Sequence, residues 1–364
     1  MVVVAKIGGS LLTSAHDYMK VVEKIKELAR EDDVIVVVSA MKGVTSKLIE
    51  TLSSENPERE LREIFAKHIS ILEAVSPSPE KGIREMSKLL DEALNGIRRF
   101  KAGMIDGKDI VLSMGERLSI IILREALRRE NIRGVSLEGG IAGIITDEEF
   151  GNAKPIMDEC MRTIPSVLLP ILGEETVPVV AGFTGVTRDG RITTLGRGGS
   201  DLTASLIASV LRVRLLLLYT DVPGIMTGDP STVNHARTIP AVGLEEVDAM
   251  ARLRVKKFHP LTFMPIMRLK PRRMGIFIGT LDGRGTRVVR RRVPPPIKVV
   301  SPRGGEIVVI GHDPSFLLDI VKPEWKVSVV ATEEPYAIVR PENATRKMEV
   351  LDAIHSAILK MIGG

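Results

Sequence analysis

The sequence predicts an α/β protein, with a mostly parallel sheet sandwiched by helices and a small α+β module after it. Three observations predict this class. Segments that are almost continuously apolar, VVVAKI at 2–7 and VIVVVSA at 34–40, are typical of strands covered on both faces. Segments with helical spacing of apolar residues alternate with them. Three consecutive prolines at 294–296 then interrupt the alternation, because proline excludes both helix and central strand.

The predicted elements follow in order along the chain. After the strand at 2–7, residues 17–31 are predicted to be an amphipathic helix, with Val21, Ile25 and Leu28 on one face. The strand at 34–40 precedes a long helical stretch, 46–106, that breaks near 76–80. Residues 109–129 are predicted to form a short strand, a loop and a helix. Further strands are predicted at 177–185, around the Asp-Gly turn of 188–194 and at 213–224, with a helix at 202–212.

The proline-rich segment is predicted to be a domain boundary. The expected organisation is a first domain over 1–291, a linker over 292–297 and a second module over 298–364. We predict that three segments of that module form strands, EIVVIGHD, KVSVVAT and YAIVRPE. A final helix is predicted from about 345 to 361.

Composition limits the function classes. The 364 residues carry a net charge of +5, which favours small anionic partners such as nucleotides. Basic residues are scattered and aromatic residues are only 3%, so a nucleic-acid partner is not expected. No apolar segment has membrane-spanning length. A single cysteine, Cys160, fits a reducing compartment, so we expect a cytoplasmic protein, and the absence of glutamine resembles the composition of thermophile proteins.

Several loops follow predicted strands and are candidates for one shared cleft. GGS, SAMKGVTS, SMGER and TDVPG each come after a predicted strand, and ligands of open α/β sheets bind beyond the carboxyl ends of strands. Lys6 beside glycines could bind phosphate, although two glycines after a strand also suit a tight turn. The spacing of a Walker A motif is absent.

The segment TTLGRGGSD, 193–201, is the second candidate. Its glycines would let the backbone approach a ligand, and Arg197 could pair with a carboxylate through two hydrogen bonds. Ser200 or Asp201 could instead cap the helix expected to begin near Leu202.

The motifs KIGGS, VVSAMKGVTS, LSMGERLS, TTLGRGGSDLTA, YTDVPGIMTGDP and KKFHPLT occur in the order found in aspartate kinases. The sequence resembles that family, within the amino acid kinase superfamily, from residue 1 to about 290. The pair of motifs TLGRGGSD and SMGERLS is highly specific to aspartate kinases, whereas KIGGS and TDVPG indicate only the superfamily. The resemblance implies the amino acid kinase fold, with an amino acid kinase catalytic domain over 1–291. It also implies transfer of the ATP γ-phosphoryl group, with Mg²⁺, to the side-chain carboxylate of L-aspartate. That reaction is the first step towards lysine, threonine and methionine.

The resemblance also implies site residues. Catalysis would fall to Lys6 and Asp201, with Asp201 orienting Lys6. The residues that would bind aspartate are Ser39, Thr45, Glu116, Arg197, Gly198 and Ser200, with Glu116 on the α-ammonium and Arg197 on the α-carboxylate. The residues that would bind the nucleotide are Lys6, Gly8, Gly9, Ser10, Thr220, Asp221, Asp229 and Lys256. No metal-ligating residue is implied.

Structural readings stay open for some of these residues. Glu116 could be a surface residue that suits the dipole of the helix it opens. Thr45 could be a helix cap, and Lys256 and Lys257 could exchange roles. Met226 stands where the family commonly has an aromatic residue, which leaves the nucleotide preference open.

The C-terminal module departs most from the family pattern. It has less than half the length of the family's two ligand-sensing ACT domains, so it resembles a reduced ACT-like module. We expect weak or absent feedback inhibition by lysine or threonine, and a homodimer or larger homo-oligomer. Alternatives are a related kinase for another small carboxylate or phosphate, and an inactive regulatory paralogue. Lys6, Glu116, Arg197, Asp201 and Asp221 are all present, which favours an active enzyme.

Overall fold

The computed structural model describes residues 1–255, 258–317 and 326–363. Elements are numbered in chain order. The chain divides into two compact units, one of Met1–Asp221 with Pro265–Met274 and one of Val222–Met264 with Gly275–Gly364. The proline-rich segment 292–297 lies inside the second unit, and the predicted domain boundaries stay a prediction. No helix in the described part of the chain is both long enough and apolar enough to cross a membrane.

The first unit is built on a parallel sheet in the order β3-β4-β2-β1-β7. Its strands are β1 Val2–Ile7, β2 Asp33–Val38, β3 Gly134–Leu137, β4 Val177–Ala181, β5 Thr184–Val186, β6 Ile192–Thr194 and β7 Leu215–Tyr219, of which β5 and β6 form a separate hairpin. Its helices are α1 Ala15–Leu28, α2 Val44–Leu52, α3 Pro57–Val75, α4 Glu80–Lys101, α5 Gly107–Leu112, α6 Met114–Arg129, α7 Met157–Gly173 and α8 Gly199–Val210. Helices α1, α6 and α8 pack on the sheet, and the predicted α/β fold class is confirmed.

The second unit contains two groups of strands. Helix α10, Met264–Leu269, belongs to the first unit except for its first residue. The elements of the second unit are β8 Ala241–Gly243, α9 Leu244–Arg252, β9 Gly275–Gly279, β10 Gly285–Val289, β11 Val299–Arg303, β12 Glu306–Ile310, β13 Val327–Glu333, β14 Tyr336–Pro341 and α11 Lys347–Gly363. Strand β10 pairs with β8 in parallel and with β9 in antiparallel orientation. The C-terminal module is an antiparallel sheet, β11-β12-β14-β13, packed against α11. Its predicted α+β character is confirmed.

Three predictions about local structure were wrong. Residues 109–112 are helical rather than a strand, because Ile110 and Val111 pack against Gly96 of helix α4. Helix α8 begins at Gly199, three residues before the predicted start near Leu202. Strand β11 was not predicted, since Pro302 lies within it. It is an edge strand, where proline is tolerated.

Candidate active site

The carboxyl ends of the central strands of the first unit lie level with one another. Ile7 pairs with Val38 of β2 and with Tyr219 of β7. The Gly182 N–H, just after β4, donates a hydrogen bond to the Val38 carbonyl at 2.9 Å. The loops after β1, β2, β4 and β7 therefore begin at one edge of the sheet, as the sequence predicts for three of them. The SMGER motif follows helix α5 instead of a strand, so that part of the prediction was wrong.

An ion pair lies at this edge. Lys6 Nζ is 2.7 Å from Asp201 Oδ1, and the two side chains are only 13% and 10% exposed. The ammonium also lies over the glycine loop, 3.7 Å from where a Cβ of Gly8 would stand. The structure therefore places a positive charge beside the first loop, with a carboxylate at hydrogen-bonding distance to orient it.

The start of helix α8 explains how Asp201 reaches Lys6. Gly198, with φ +82°, lies in the left-handed region that glycine adopts at low cost, and it precedes the first helical residue. Neither Ser200 nor Asp201 caps the helix by a side-chain hydrogen bond, so the capping interpretation was wrong. Both are buried in the first turn, and Ser200 packs on Gly182. Arg197, just before this turn, is exposed.

Glu116 is buried, with 3% exposure, in the first turn of α6, so the interpretation as a surface residue was wrong. Burial raises the pKa of its carboxyl to about 8, although the Ala40 N–H and the charge of Lys6 act in the opposite direction. Among the described residues, Oε2 has no hydrogen-bond partner. A buried carboxyl group with a raised pKa and an open acceptor, close to a lysine, is a candidate functional group.

Gly9 brings the first and second loops into contact. A Cβ at Gly9 would clash with the Ala40 carbonyl oxygen, and the Lys42 N–H donates to the Gly9 carbonyl at 3.0 Å. This glycine is thus required for backbone packing whether or not it approaches phosphate. Ser39 and Thr45 flank this contact and are half-buried. Gly43, not Thr45, precedes helix α2, so Thr45 is not its cap.

Asp221 is an exposed carboxylate after β7. Burial acts to raise its pKa, but hydrogen bonds from Ser10 and Thr220 and the charge of Lys42 leave that pKa lowered. The Thr220 hydroxyl is 3.2 Å from Asp221 Oδ1. The structure therefore brings together the predicted nucleotide residues Ser10, Thr220 and Asp221, and adds Lys42.

Two further predicted nucleotide residues, Asp229 and Lys256, stay predictions. Asp229 belongs to the second unit, where its Oδ1 accepts hydrogen bonds from the Ser231 N–H and hydroxyl at 2.9 and 2.8 Å. Lys256 lies outside the described residues.

Sequence reasoning missed three supporting residues. Lys42 stands within SAMKGVTS and approaches Asp221. Arg117, beside Glu116, makes hydrogen bonds of 2.7 and 2.8 Å to Glu92 and 2.8 Å to Glu138. Buried Asp109 accepts hydrogen bonds from the N–H groups of Gly151 and Thr194, at 2.8 and 2.7 Å. Lys42 and Arg117 lie inside the quoted motifs, whereas nothing in the sequence signals the role of Asp109.

Within residues 1–255, 258–317 and 326–363, no three histidine, cysteine or acidic side chains are grouped so as to hold a metal ion. Mg²⁺ in nucleotide enzymes is commonly held by phosphates plus one or two carboxylates. Asp221, exposed and with a lowered pKa, has the chemistry for that part.

Comparison with known proteins decides the family. The amino acid kinase family matches residues 1–278. The chain belongs to this family. Among curated relatives, the aspartokinase of Geobacillus stearothermophilus is 34% identical over 260 residues, which are 71% of this chain and 52% of that protein. Aspartokinase 2 of Bacillus subtilis (strain 168) is 33% identical over 259 residues, with the same coverage. The chain thus spans about half the length of the curated relatives it matches.

Among solved structures, E. coli aspartokinase III in complex with aspartate and ADP (R-state) superposes with a TM-score of 0.75. Sequence identity is 26%, and the match covers 94% of this chain and 79% of that chain. This likeness confirms the predicted amino acid kinase fold.

Proposed function

We propose that this chain is an aspartate kinase. It transfers the γ-phosphoryl group of ATP to the side-chain carboxylate of L-aspartate, giving 4-phospho-L-aspartate. The observation that carries the proposal is the buried Lys6–Asp201 ion pair at the strand ends, with Glu116 beside it. The relatives named above are aspartokinases, and one was solved with aspartate and ADP, which supports the same assignment.

The chemistry suits this set of residues. The side-chain carboxylate of aspartate is ionised at neutral pH, with an ordinary pKa of about 4, so the nucleophile needs no general base. The barrier lies in bringing an anion to a phosphate, and positioned positive charge lowers it. We assign this charge to Lys6, which Asp201 holds by the 2.7 Å ion pair.

Substrate recognition requires one anionic and one cationic group. We assign the α-ammonium of aspartate to Glu116, whose buried Oε2 is without a partner among the described residues. We assign the α-carboxylate to Arg197, because a guanidinium binds a carboxylate through two hydrogen bonds. Ser39, Thr45 and the Gly198–Ser200 turn would complete this pocket.

We assign the nucleotide to the glycine loop Gly8–Ser10 and to Thr220 and Asp221. Asp229 and Lys256 stay proposed nucleotide-binding residues. Mg²⁺, when bound, would neutralise part of the phosphate charge, with Asp221 as the carboxylate to help hold it. Asp221 suits this role, because the Ser10 hydrogen bond and the charge of Lys42 lower the pKa of its carboxyl group and so favour the ionised form.

We propose a cytoplasmic homodimer or larger homo-oligomer at the first step towards lysine, threonine and methionine. The buried free thiol of Cys160 suits a reducing compartment.

Self-association through β13 is supported by Val329 and Val330, which are 48% and 46% exposed on the edge strand of the module. Light scattering should show more than one chain per particle, and Val330→Lys should lower the measured mass. A wild-type monomer at micromolar concentration would contradict the assembly.

The activity is tested by trapping the acyl phosphate. The chain, with Mg-ATP and hydroxylamine, should convert L-aspartate to aspartyl hydroxamate and leave glutamate and N-acetylglutamate unconverted. Hydroxamate from one of the other acids would identify a related kinase. Binding of Mg-ADP without product from any acid would identify an inactive regulatory paralogue, and Lys6→Ala provides the blank.

A further inference from the structure

The loop over residues 225–239 of the second unit carries Asp229. Its two ends are joined, since the Thr227 N–H donates to the Arg237 carbonyl at 2.9 Å and the Ile239 N–H to the Ile225 carbonyl at 2.8 Å. Asp229 lies in a tight turn near its tip, where its carbonyl accepts hydrogen bonds from the N–H groups of Thr232 and Val233 at 2.8 and 2.9 Å. The conformation at Asp229 therefore depends on where Val233 is held.

Val233 is held by the C-terminal module. It is only 4% exposed and belongs to the module's apolar core. Other members of that core include Val300 of β11, Ile307 of β12, Val339 of β14 and Ile354 of α11. Burial of a valine side chain stabilises the folded state by about 1.5–3 kcal/mol relative to leaving that side chain exposed. The core of the module is thus completed by a residue of the loop.

Thr227 makes a second, polar attachment to the same module. Its carbonyl accepts a hydrogen bond from the Val300 N–H of strand β11 at 2.9 Å. Its hydroxyl is 2.8 Å from Nε2 of His355 on helix α11 and accepts a hydrogen bond from the Arg237 N–H at 3.1 Å. Both side chains are buried, with Thr227 0% and His355 2% exposed. A neutral imidazole with an unprotonated Nε2 would accept a hydrogen bond from the Thr227 hydroxyl, whose oxygen accepts from Arg237.

We propose that the C-terminal module is the scaffold of the 225–239 loop and that His355 is a positioning residue for nucleotide binding, acting through Thr227. This inference rests on the proposed role of Asp229 in nucleotide binding. His355 holds Thr227 at the base of the loop, and Val233 anchors the tip. The module has this role whether or not it also binds a regulator.

The test measures the KM for ATP, the Kd for Mg-ADP by calorimetry, the KM for aspartate and kcat in two pairs of variants. His355→Phe and Thr227→Val each remove one partner of the buried hydrogen bond. Each should raise the KM for ATP and the Kd for Mg-ADP about five- to tenfold, because a buried polar group loses its partner. The KM for aspartate and kcat at saturation should change less than about twofold.

The conservative variants separate positioning from folding. His355→Gln and Thr227→Ser keep a hydrogen-bonding group and should return the Kd for Mg-ADP to within about twofold of wild type. Ile354→Val removes one methylene group from the same core without touching the hydrogen bond. It should lower stability by about 0.5–1.5 kcal/mol while leaving the Kd unchanged.

The outcomes distinguish the inference from the function beneath it. A wild-type chain that binds no Mg-ADP overturns the proposed function. A wild-type chain that binds Mg-ADP, with His355→Phe and Thr227→Val folded and binding it equally well, overturns the scaffold role. An Ile354→Val effect as large as that of His355→Phe also overturns the positioning role, since general loosening then explains the loss. If His355→Phe does not fold, Thr227→Val against Thr227→Ser decides.

Discussion

The protonation state of Glu116 predicts a pH dependence of aspartate binding. An α-ammonium group binds the ionised carboxylate, but burial raises the pKa of Glu116 to about 8 in the free protein. At pH 7 only about one-tenth of the molecules carry the charge, which costs about 1.4 kcal/mol of binding free energy. The KM for aspartate should therefore fall about tenfold from pH 6 to pH 7 and about fivefold from pH 7 to pH 8, and level off above that.

The assay is the hydroxamate reaction at saturating Mg-ATP, with the KM for aspartate measured from about pH 6 to about pH 8.5. Glu116→Gln has no carboxyl group to titrate at this position. Its KM for aspartate should stay level across the range, about 10- to 100-fold above that of wild type at pH 8, because a charge-assisted hydrogen bond is lost. The KM for ATP should be unchanged in this variant.

Glu125→Gln is the matched control. Glu125 is a buried carboxylate on the same helix, paired with Arg124 and Arg128 at 2.9 and 3.2 Å. This variant should keep the wild-type pH profile even if it lowers stability. A wild-type KM that is level between pH 6 and pH 8, or a Glu116→Gln profile that still titrates, would refute the reasoning.

Three further predictions concern charged residues. Lys6→Ala should lower kcat by about 100-fold or more, and Asp201→Asn should lower it by about tenfold. Steady-state kinetics should show only small changes in the KM for ATP and for aspartate, because both residues act on the charge of the transition state. Unchanged kcat values would contradict this. Arg197→Lys should raise the KM for aspartate about tenfold, since an ammonium cannot make the two parallel hydrogen bonds; a wild-type KM would show that this arginine does not bind the substrate. Lys298→Met leaves Glu246 buried without its 2.6 Å ion pair and should lower the free energy of unfolding in urea by about 3–5 kcal/mol, whereas a loss below about 1 kcal/mol would show that water reaches the site.

Most of the fold follows from the sequence because its signals are local. Strands β1, β2 and β7 are almost entirely apolar, and helices such as α1 show clear helical spacing. The segment 109–112 is too short for periodicity to distinguish strand from helix, and its packing against Gly96 decides the matter. The start of α8 depends on the left-handed Gly198, which sequence alone does not fix among three nearby glycines.

The residues of the candidate site follow from the motifs of the resembling family, whereas their geometry follows from the sequence only in part. Motif order pointed to Lys6 and Asp201, and the structure joins them by an ion pair. The burial of Glu116 could not be read from its own motif, since it depends on how the whole of α6 is covered. Asp109 was missed because its hydrogen-bond partners, Gly151 and Thr194, are 42 and 85 residues away in the sequence.

The central claim is that the side-chain carboxylate of aspartate attacks the γ-phosphorus of ATP. It is tested most directly with L-aspartate labelled with ¹⁸O in both side-chain carboxylate oxygens, incubated with the chain, Mg-ATP and hydroxylamine. One labelled oxygen becomes the bridge of the acyl phosphate, and hydroxylamine attacks the carbonyl carbon and releases that oxygen with the phosphate. We predict that each inorganic phosphate formed with the hydroxamate carries one ¹⁸O by mass spectrometry. Unlabelled phosphate, from attack of water on ATP, would contradict the account.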